Sequence, residues 1–505
     1  MLSARGDLAK YGSACRTLVN FIPLLQGPVQ RRGGTRFIAR AGNGGNPVAL
    51  LGFAYSETTT YVLEVGNRYM RFYSQGAPVM NGSSPYQITT PWRQSDIFLE
   101  SGICALKWVQ SGDVMFIVCP GQPPQKLSRY GHTNWKIETL PGWGSRPNAT
   151  AIALFRERLC LAANQTVYMS QSGAFANFAP GQRGMSEATV TSSNATYTMS
   201  FNAADGKITV ISPSDGNALR FTVSFLPDEV SFVQNSSTKI SVRPKTAEGR
   251  ITRIGYTPAS TGYIVTPSSV AGQISGKYNS GATTIVTLSF DPTKGAIATD
   301  ASLDNSYTVS STDIPVAADD PLEISVYSEQ MDKIEWLCPA SGLLVGTTGG
   351  EFLISETTSV DPLGPENVKV VPETAFGSSA IQALRIGSVI IFVQRSGRKV
   401  REFAYDYSGD NYLAMDLTVA AEHITAGGLT TLAWQSEPIE TLWAVRPDGQ
   451  LIGFTYCKDQ DMTAWHRHQL GGGGQVSQLA VVPAAHGGRD ELWLSVRRII
   501  NNDVI

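Results

Sequence analysis

Charge is scarce in this chain. Only 16% of its 505 residues are charged, and 40 basic residues nearly balance 42 acidic ones, for a formal charge of −2. That balance gives no sign of a general affinity for nucleic acid phosphate. So few charges over a large surface are easier to tolerate when other subunits cover part of it, so an oligomer is expected. Cysteines are few and scattered. Cys15, Cys104, Cys119, Cys160, Cys338 and Cys457 form no CxxC pair, which argues against a zinc site or a disulfide framework and for reduced thiols in strands. No apolar stretch approaches the length of a bilayer-crossing helix, and no basic region followed by an apolar core opens the chain.

What the chain does have is repetition. Runs of alternating apolar residues turn back on themselves at 61–73, 113–129, 158–170, 342–355, 388–405, 441–456 and 491–505, most with a turn pair near the middle: Gly66-Asn67, Gly349-Gly350, Ser396-Gly397, Asp448-Gly449. The glycines are expected to supply the positive φ of these turns. Upstream of nearly every hairpin lies one more strand, at 48–55, 103–110, 150–155, 332–338, 380–386, 429–435 and 476–482. In these, charge alternates with bulk: Lys107 separates Leu106 from Trp108, Glu335 separates Ile334 from Trp336, and Arg385 separates Leu384 from Ile386, as in a sheet with one drier face. A spacing of about fifty residues is that of propeller blades. The fold class is therefore all-β, a β-propeller of about seven blades.

One interval between turns is longer than the others by about 130 residues, the size of an extra domain. Residues 184–316 hold no Trp, Cys or His, are rich in Ser, Thr and Asn, and carry short β runs such as 207–211 and 219–225 with an Asp205-Gly206 turn. The expected organisation is an N-terminal segment with the first blades over 1–183, an inserted β-sandwich or barrel-like domain over 184–316, and the remaining blades over 317–505. The last hairpin stops at Val504-Ile505 inside its returning strand. Closing the ring then calls for a longer chain or for an N-terminal strand that completes the last blade.

Candidate chemistry is thin. Asp459, Asp461, His466 and His468 form the best metal-like group, since alternate strand residues put both imidazoles on one face, but a strand edge anchored by Trp465 explains them equally well. Ser128 to Trp135 is similar to the Asp-box turn of sialidase propellers without its Asp, and such a turn is structural in any case. Gly471–Gly474 lacks the Lys-Ser or Lys-Thr of a phosphate loop and reads as a connector. Arg31, Arg32, Arg36 and Arg40 concentrate positive charge beside Gly33-Gly34, either as a solvated turn or as a docking contact to an acidic neighbour or passing DNA phosphate. No catalytic, cofactor or metal residues are assigned.

Several strings resemble tail nozzle proteins of short-tailed bacteriophages, also called tail tubular protein B or packaged-DNA stabilisation proteins. They are Leu2–Tyr11, Cys15–Gly27, Arg31–Phe37, Phe155–Leu161, Ser170–Phe178, Val345–Phe352, Arg398–Glu402, Ala414–Thr418, Trp443–Gly449, Ala464–His468 and Glu491–Arg498. They cover most of the chain outside the insertion, in the expected order; family members generally have proline where Gly33 stands. The resemblance implies a structural virion protein of the phage tail, assembled in the bacterial host cytoplasm. It further implies a homo-hexamer below the portal and its adaptor ring, which continues the channel for double-stranded DNA without sequence specificity and offers docking surface to tail fibres or spikes. It implies no enzyme and no cofactor, and it favours a framework role for Ala464–His468. The other reading of the same fold is a glycan-binding or glycan-hydrolysing propeller.

Overall fold

The structure is a computed structural model that describes residues 15–504 apart from positions 16, 57, 179–187, 193–196, 213–217, 246–250, 252, 260–262, 268–272, 279–283, 291–295, 300–305, 311–317, 328–331, 410, 461, 486, 501 and 502. It divides into two units, Met1–Phe178 with Pro321–Ile505, and Ala179–Asp320. The insertion was expected at 184–316.

The first unit is a β-propeller. Among the described residues seven sheets form its blades: six antiparallel meanders of four or five strands, ordered along the chain except that Gln87–Thr89 pairs back with Tyr69–Ser74, and a seventh of two; three short two-stranded ladders lie outside them. The second strands show why the sequence folds this way. Val114–Cys119, Arg158–Ala163, Leu343–Thr347, Val389–Val393 and Thr441–Val445 are almost wholly buried. A blade is covered on both faces, so these strands read as unbroken apolar runs. Outer strands alternate instead, as in Asn411–Asp416, where Leu413 and Met415 are exposed and Ala414 is buried.

Each pair of neighbouring blades closes on its own apolar core. Blades one and two meet around Phe53, Phe72, Met115 and Trp135, two and three around Phe116, Trp143 and Leu161, and three and four around Ala153, Met169, Val345 and Ile354. Blades four and five share Trp336 and Phe392, five and six share Ile391 and Phe454, six and seven share Trp443 and Leu479, and seven and one share Leu50 and Val482. The ring is therefore continuous, with the Thr60 hydroxyl donating to the Pro483 carbonyl (2.9 Å) across its closing seam.

Three details differ from the sequence reading. Glu491–Ile505 is not a hairpin: Asp490–Arg497 pairs with Gln475–Pro483, and a separate short ladder joins Ile499–Ile500 to Asp503–Val504. Alternation marks a strand without naming its partner, and the nearer free strand was the one upstream. The N-terminal segment adds to the sixth blade, where Val19 bridges Arg467 in parallel and Asn20 N donates to the Arg467 carbonyl (2.8 Å). In the first hairpin the left-handed residue is Arg68 (φ 61°) rather than a glycine. Gly66 is needed for space, because a Cβ there would run into the Tyr69 ring.

The second unit is a β-sandwich of two six-stranded sheets. One runs Val230–Ser236, Lys239–Pro244, Ala188–Ser192, Thr284–Phe290, Gln273–Tyr278, Tyr263–Pro267, and the other Thr198–Asn202, Lys207–Ser212, Ala218–Phe225, Arg253–Pro258, Ser306–Ser310, Ala296–Thr299. Alternate residues of both sheets, among them Val190, Val242 and Leu288 from one and Ile208, Phe221 and Ile254 from the other, form its core. In chain order it interrupts the third blade, whose fourth strand, Leu322–Ser325, follows it.

Gly453 lies opposite His466 in the sixth blade, and a Cβ at this position would fall inside the imidazole. Gly453→Ala is expected to cost about 1–3 kcal/mol by overpacking, read as a lowered urea midpoint; an unchanged midpoint would refute the close packing.

Candidate functional site

The innermost strands of the first, second, fifth, sixth and seventh blades surround a cavity of about 430 Å³ on the propeller axis. Its wall carries the half-buried indoles of Trp108 and Trp434, the side chains of Gln382 and Gln478, and Lys107. A volume of this order is that of a small-molecule site.

Lys107 was expected on the wetter face of its strand. It is instead 4% exposed, and its Nζ donates to the Thr150 carbonyl of the third blade (3.1 Å) and to the Glu335 carbonyl of the fourth. Glu335, expected on the same kind of face, is buried too, while Arg385 stands exposed. Desolvation lowers the Lys107 ammonium to about 8, with the Glu335 charge pulling the other way. Gln110 stitches the first two blades together: its Nε2 donates to the Ala54 carbonyl (2.6 Å) and its Oε1 accepts from Ala54 N (3.0 Å).

The histidines form a buried pair. His466 Nδ1 lies 2.6 Å from His468 Nε2, His466 Nε2 lies 3.1 Å from the Thr455 hydroxyl, and Trp443 covers both rings. At that distance the facing nitrogens engage each other, while His468 Nδ1 is buried and has no hydrogen-bond partner. Asp461 lies outside the described residues, Asp459 sits on a short 3₁₀ turn, and no cluster of three metal-ligating side chains occurs among the described residues. Burial holds His466 to about 3 and His468 to about 2, the latter aided by His466 and Arg32.

The arginines do not converge. Arg31 ends an exposed strand, Arg32 donates to the adjacent Gly33 carbonyl beside the histidine pair, and Arg36 donates to the Gly76 carbonyl of the first blade (2.8 Å). In the segment like an Asp box, Trp135 packs among Phe53, Tyr61 and Phe72, and its Nε1 donates to the His132 carbonyl (3.3 Å), a structural role. Arg129 lies over Tyr55 (4.0 Å to the ring centre) and faces Asp113 (3.6 Å), so its charge is already engaged.

Two buried carboxylates gave no signal in the sequence. Glu64 accepts from Tyr69 and Tyr73 hydroxyls (2.5 Å each) and from Gly42 N (2.8 Å); Glu351 accepts from Thr374 (2.6 Å) and Ser378 (2.9 Å). Burial raises the Glu351 carboxyl above its usual range, while the hydroxyl donors oppose that shift.

No family model and no curated protein matches this chain. Solved structures similar to it include the C-terminal WD40 domain of Sif2, at 9% identity over 91% of this chain and 97% of that one, with a TM-score of 0.34. Another is apo AztD from Citrobacter koseri, at 7% identity over 84% of each chain, with a TM-score of 0.32. The propeller itself is established by its sheets and the cores between them.

Two pH effects follow. The folded chain keeps both histidines neutral while the unfolded chain protonates them below 6.5, so their contribution is complete above 6.5 and is lost as pH falls toward 3. His468→Met should flatten the acid side of the stability curve in urea titrations; parallel curves would refute this. Lys107 is shifted in the same direction, with its window on the alkaline side. Its buried charge opposes folding below about 8, and the penalty fades as pH rises to 10.5, where the unfolded chain also loses its proton. Stability of the native chain relative to Lys107→Met should therefore rise across that window, and a flat difference would count against a charged, desolvated Lys107.

Proposed function

We propose that this chain is a structural subunit of a short-tailed phage tail nozzle, a wall element of a homo-hexameric ring. In this reading the ring continues the DNA channel below the portal and adaptor, retains the packaged genome, and carries fibres or spikes on its outside. The observation that carries this reading is the placing of the nozzle-like strings. Outside the insertion they follow one another in chain order; Leu2–Tyr11 lies outside the described residues, the later ones fall in the propeller unit, and Ala464–His468 lies on the packed outer strand of the sixth blade. A ligand-sized axial cavity leaves no room for a duplex inside one propeller, so the passage belongs between subunits, with each propeller as a brick in its wall.

Electrostatics support the same reading. Each phosphate neutralised by a wall adds affinity and hence friction, so a conduit works best when close to neutral or acidic, as the formal charge of −2 allows. Electron microscopy of the purified chain, alone and with a portal and adaptor assembly, is the test. Six-membered rings with a bore that admits a duplex are expected, whereas a monomer in both samples, or a ring too narrow even when open, would overturn the assignment.

A further inference from the structure

The chain contains two Asn-Gly pairs, Asn43-Gly44 and Asn81-Gly82. An asparagine carboxamide is open to attack by the backbone nitrogen that follows it, and glycine, with no side chain, leaves that approach unobstructed. By sequence the two pairs are equal, but the fold separates them. Asn43 is tied down: its Nδ2 donates to Gln94 Oε1 (2.6 Å) and to the Pro47 carbonyl (3.1 Å), and its Oδ1 accepts from Asn67 N (3.5 Å). Turning this carboxamide onto Gly44 N would break all three bonds. Asn81 is exposed at the end of a short strand, Met80–Asn81, that turns through Gly82-Ser83 into Ser84–Pro85. Every residue of the turn is exposed, Gly82 has a φ of 62°, and no atom beyond its chain neighbours lies within 4 Å of where a Cβ would stand. Among the described residues no hydrogen bond holds the Asn81 carboxamide or the Gly82 N–H.

We propose that Asn81 is a site of spontaneous deamidation, and that Asn43, in the same dipeptide, is protected by its hydrogen bonds. Gly82 N gives up its proton to solvent base and bonds to Asn81 Cγ, the Cγ–Nδ2 bond breaks, and ammonia leaves a cyclic imide. The attack is intramolecular, so no encounter between molecules limits it. Water then opens the imide. Cleavage between N and Cγ gives aspartate, and cleavage between N and the backbone carbonyl carbon gives isoaspartate. Either product places a new carboxylate on the first blade, and isoaspartate also lengthens the backbone by one methylene inside the ladder that pairs Asn81 with Ser84. The inference goes beyond the nozzle reading and needs only the folded propeller.

Peptide mapping by mass spectrometry tests it, on the full chain aged in mildly alkaline buffer, folded and in urea. The tryptic peptide between Arg71 and Arg93 holds no asparagine but Asn81. In the folded chain this peptide should gain the mass difference between an amide and an acid and split into aspartate and isoaspartate forms. Conversion should run at least about tenfold faster than at Asn43, the factor set by the hydrogen bonds that Asn43 must break, and should quicken with pH because the attacking amide must lose its proton. In urea the two sites should convert at similar rates. Asn81→Gln, whose longer side chain would have to close a larger ring, should abolish the change in this peptide and leave Asn43 as before. Equal rates at the two sites in the folded chain, Asn43 converting first, the same disparity persisting in urea, or a mass gain that survives Asn81→Gln would overturn the proposal.

Discussion

Every blade of this propeller has two apolar faces, and only its neighbours can cover them. Val389–Val393 is buried along its whole length because Trp336 and Cys338 of the fourth blade lie on one side and Leu442 and Phe454 of the sixth on the other. Removing one blade would bare two cores of this kind, each holding several residues worth about 1.5–3 kcal/mol apiece when buried. The faces must therefore close into a ring, and the hydrophobic term itself fixes the circular arrangement.

Polar groups at the axis serve that closure. Lys107 reaches from the second blade to carbonyls of the third and fourth, the Thr150 hydroxyl donates to the Ile334 carbonyl (3.2 Å), Gln382 ties the fifth blade to the fourth, and Gln110 ties the second to the first. Inner strands crowd together where they meet the axis, so carbonyls of one blade lie within reach of side chains from the next. The half-buried Gln110 and Gln382 amides and the Lys107 ammonium there find acceptors that a lone sheet could not offer, although Gln382 Oε1 and Gln478 Nε2 stay unpaired. The outcome is a stiff ring whose stability is spread over many small seams.

The strands were largely legible in the sequence, because burial on both faces writes a run such as Val389–Val393 and burial on one face writes an alternation. Their partners were less so. Asp490–Arg497 looked like the first half of a hairpin, yet it is the second half of one that begins at Gln475, and nothing local to either strand distinguishes these pairings. Lys107 and Glu335 show the same limit from another side. Their alternation with large apolar neighbours is real, but the face they share is the crowded axis and not solvent, a fact that arises only when seven sheets surround one line. Glu64 and Glu351 could not be foreseen, since their hydroxyl donors come together only through strand register and loop return.

The seventh blade tests how far this logic goes, having only two strands among the described residues. Its inner strand does the sealing: Val476 and Leu479 face the sixth blade, and Ala480 and Val482 face the first. What two outer strands would cover at the periphery is covered instead by the N-terminal segment. Ile22 packs against the core between blades six and seven, and Ile38 and Ala39 against the core between seven and one. The segment is anchored at one end by Asn20, whose Oδ1 accepts from Gln469 N (2.8 Å), and farther along by Arg36 on the Gly76 carbonyl. Arg32 and Arg36 thus lie on a strap across the closing seam, and the positive charge conspicuous in the sequence marks where the ring is fastened.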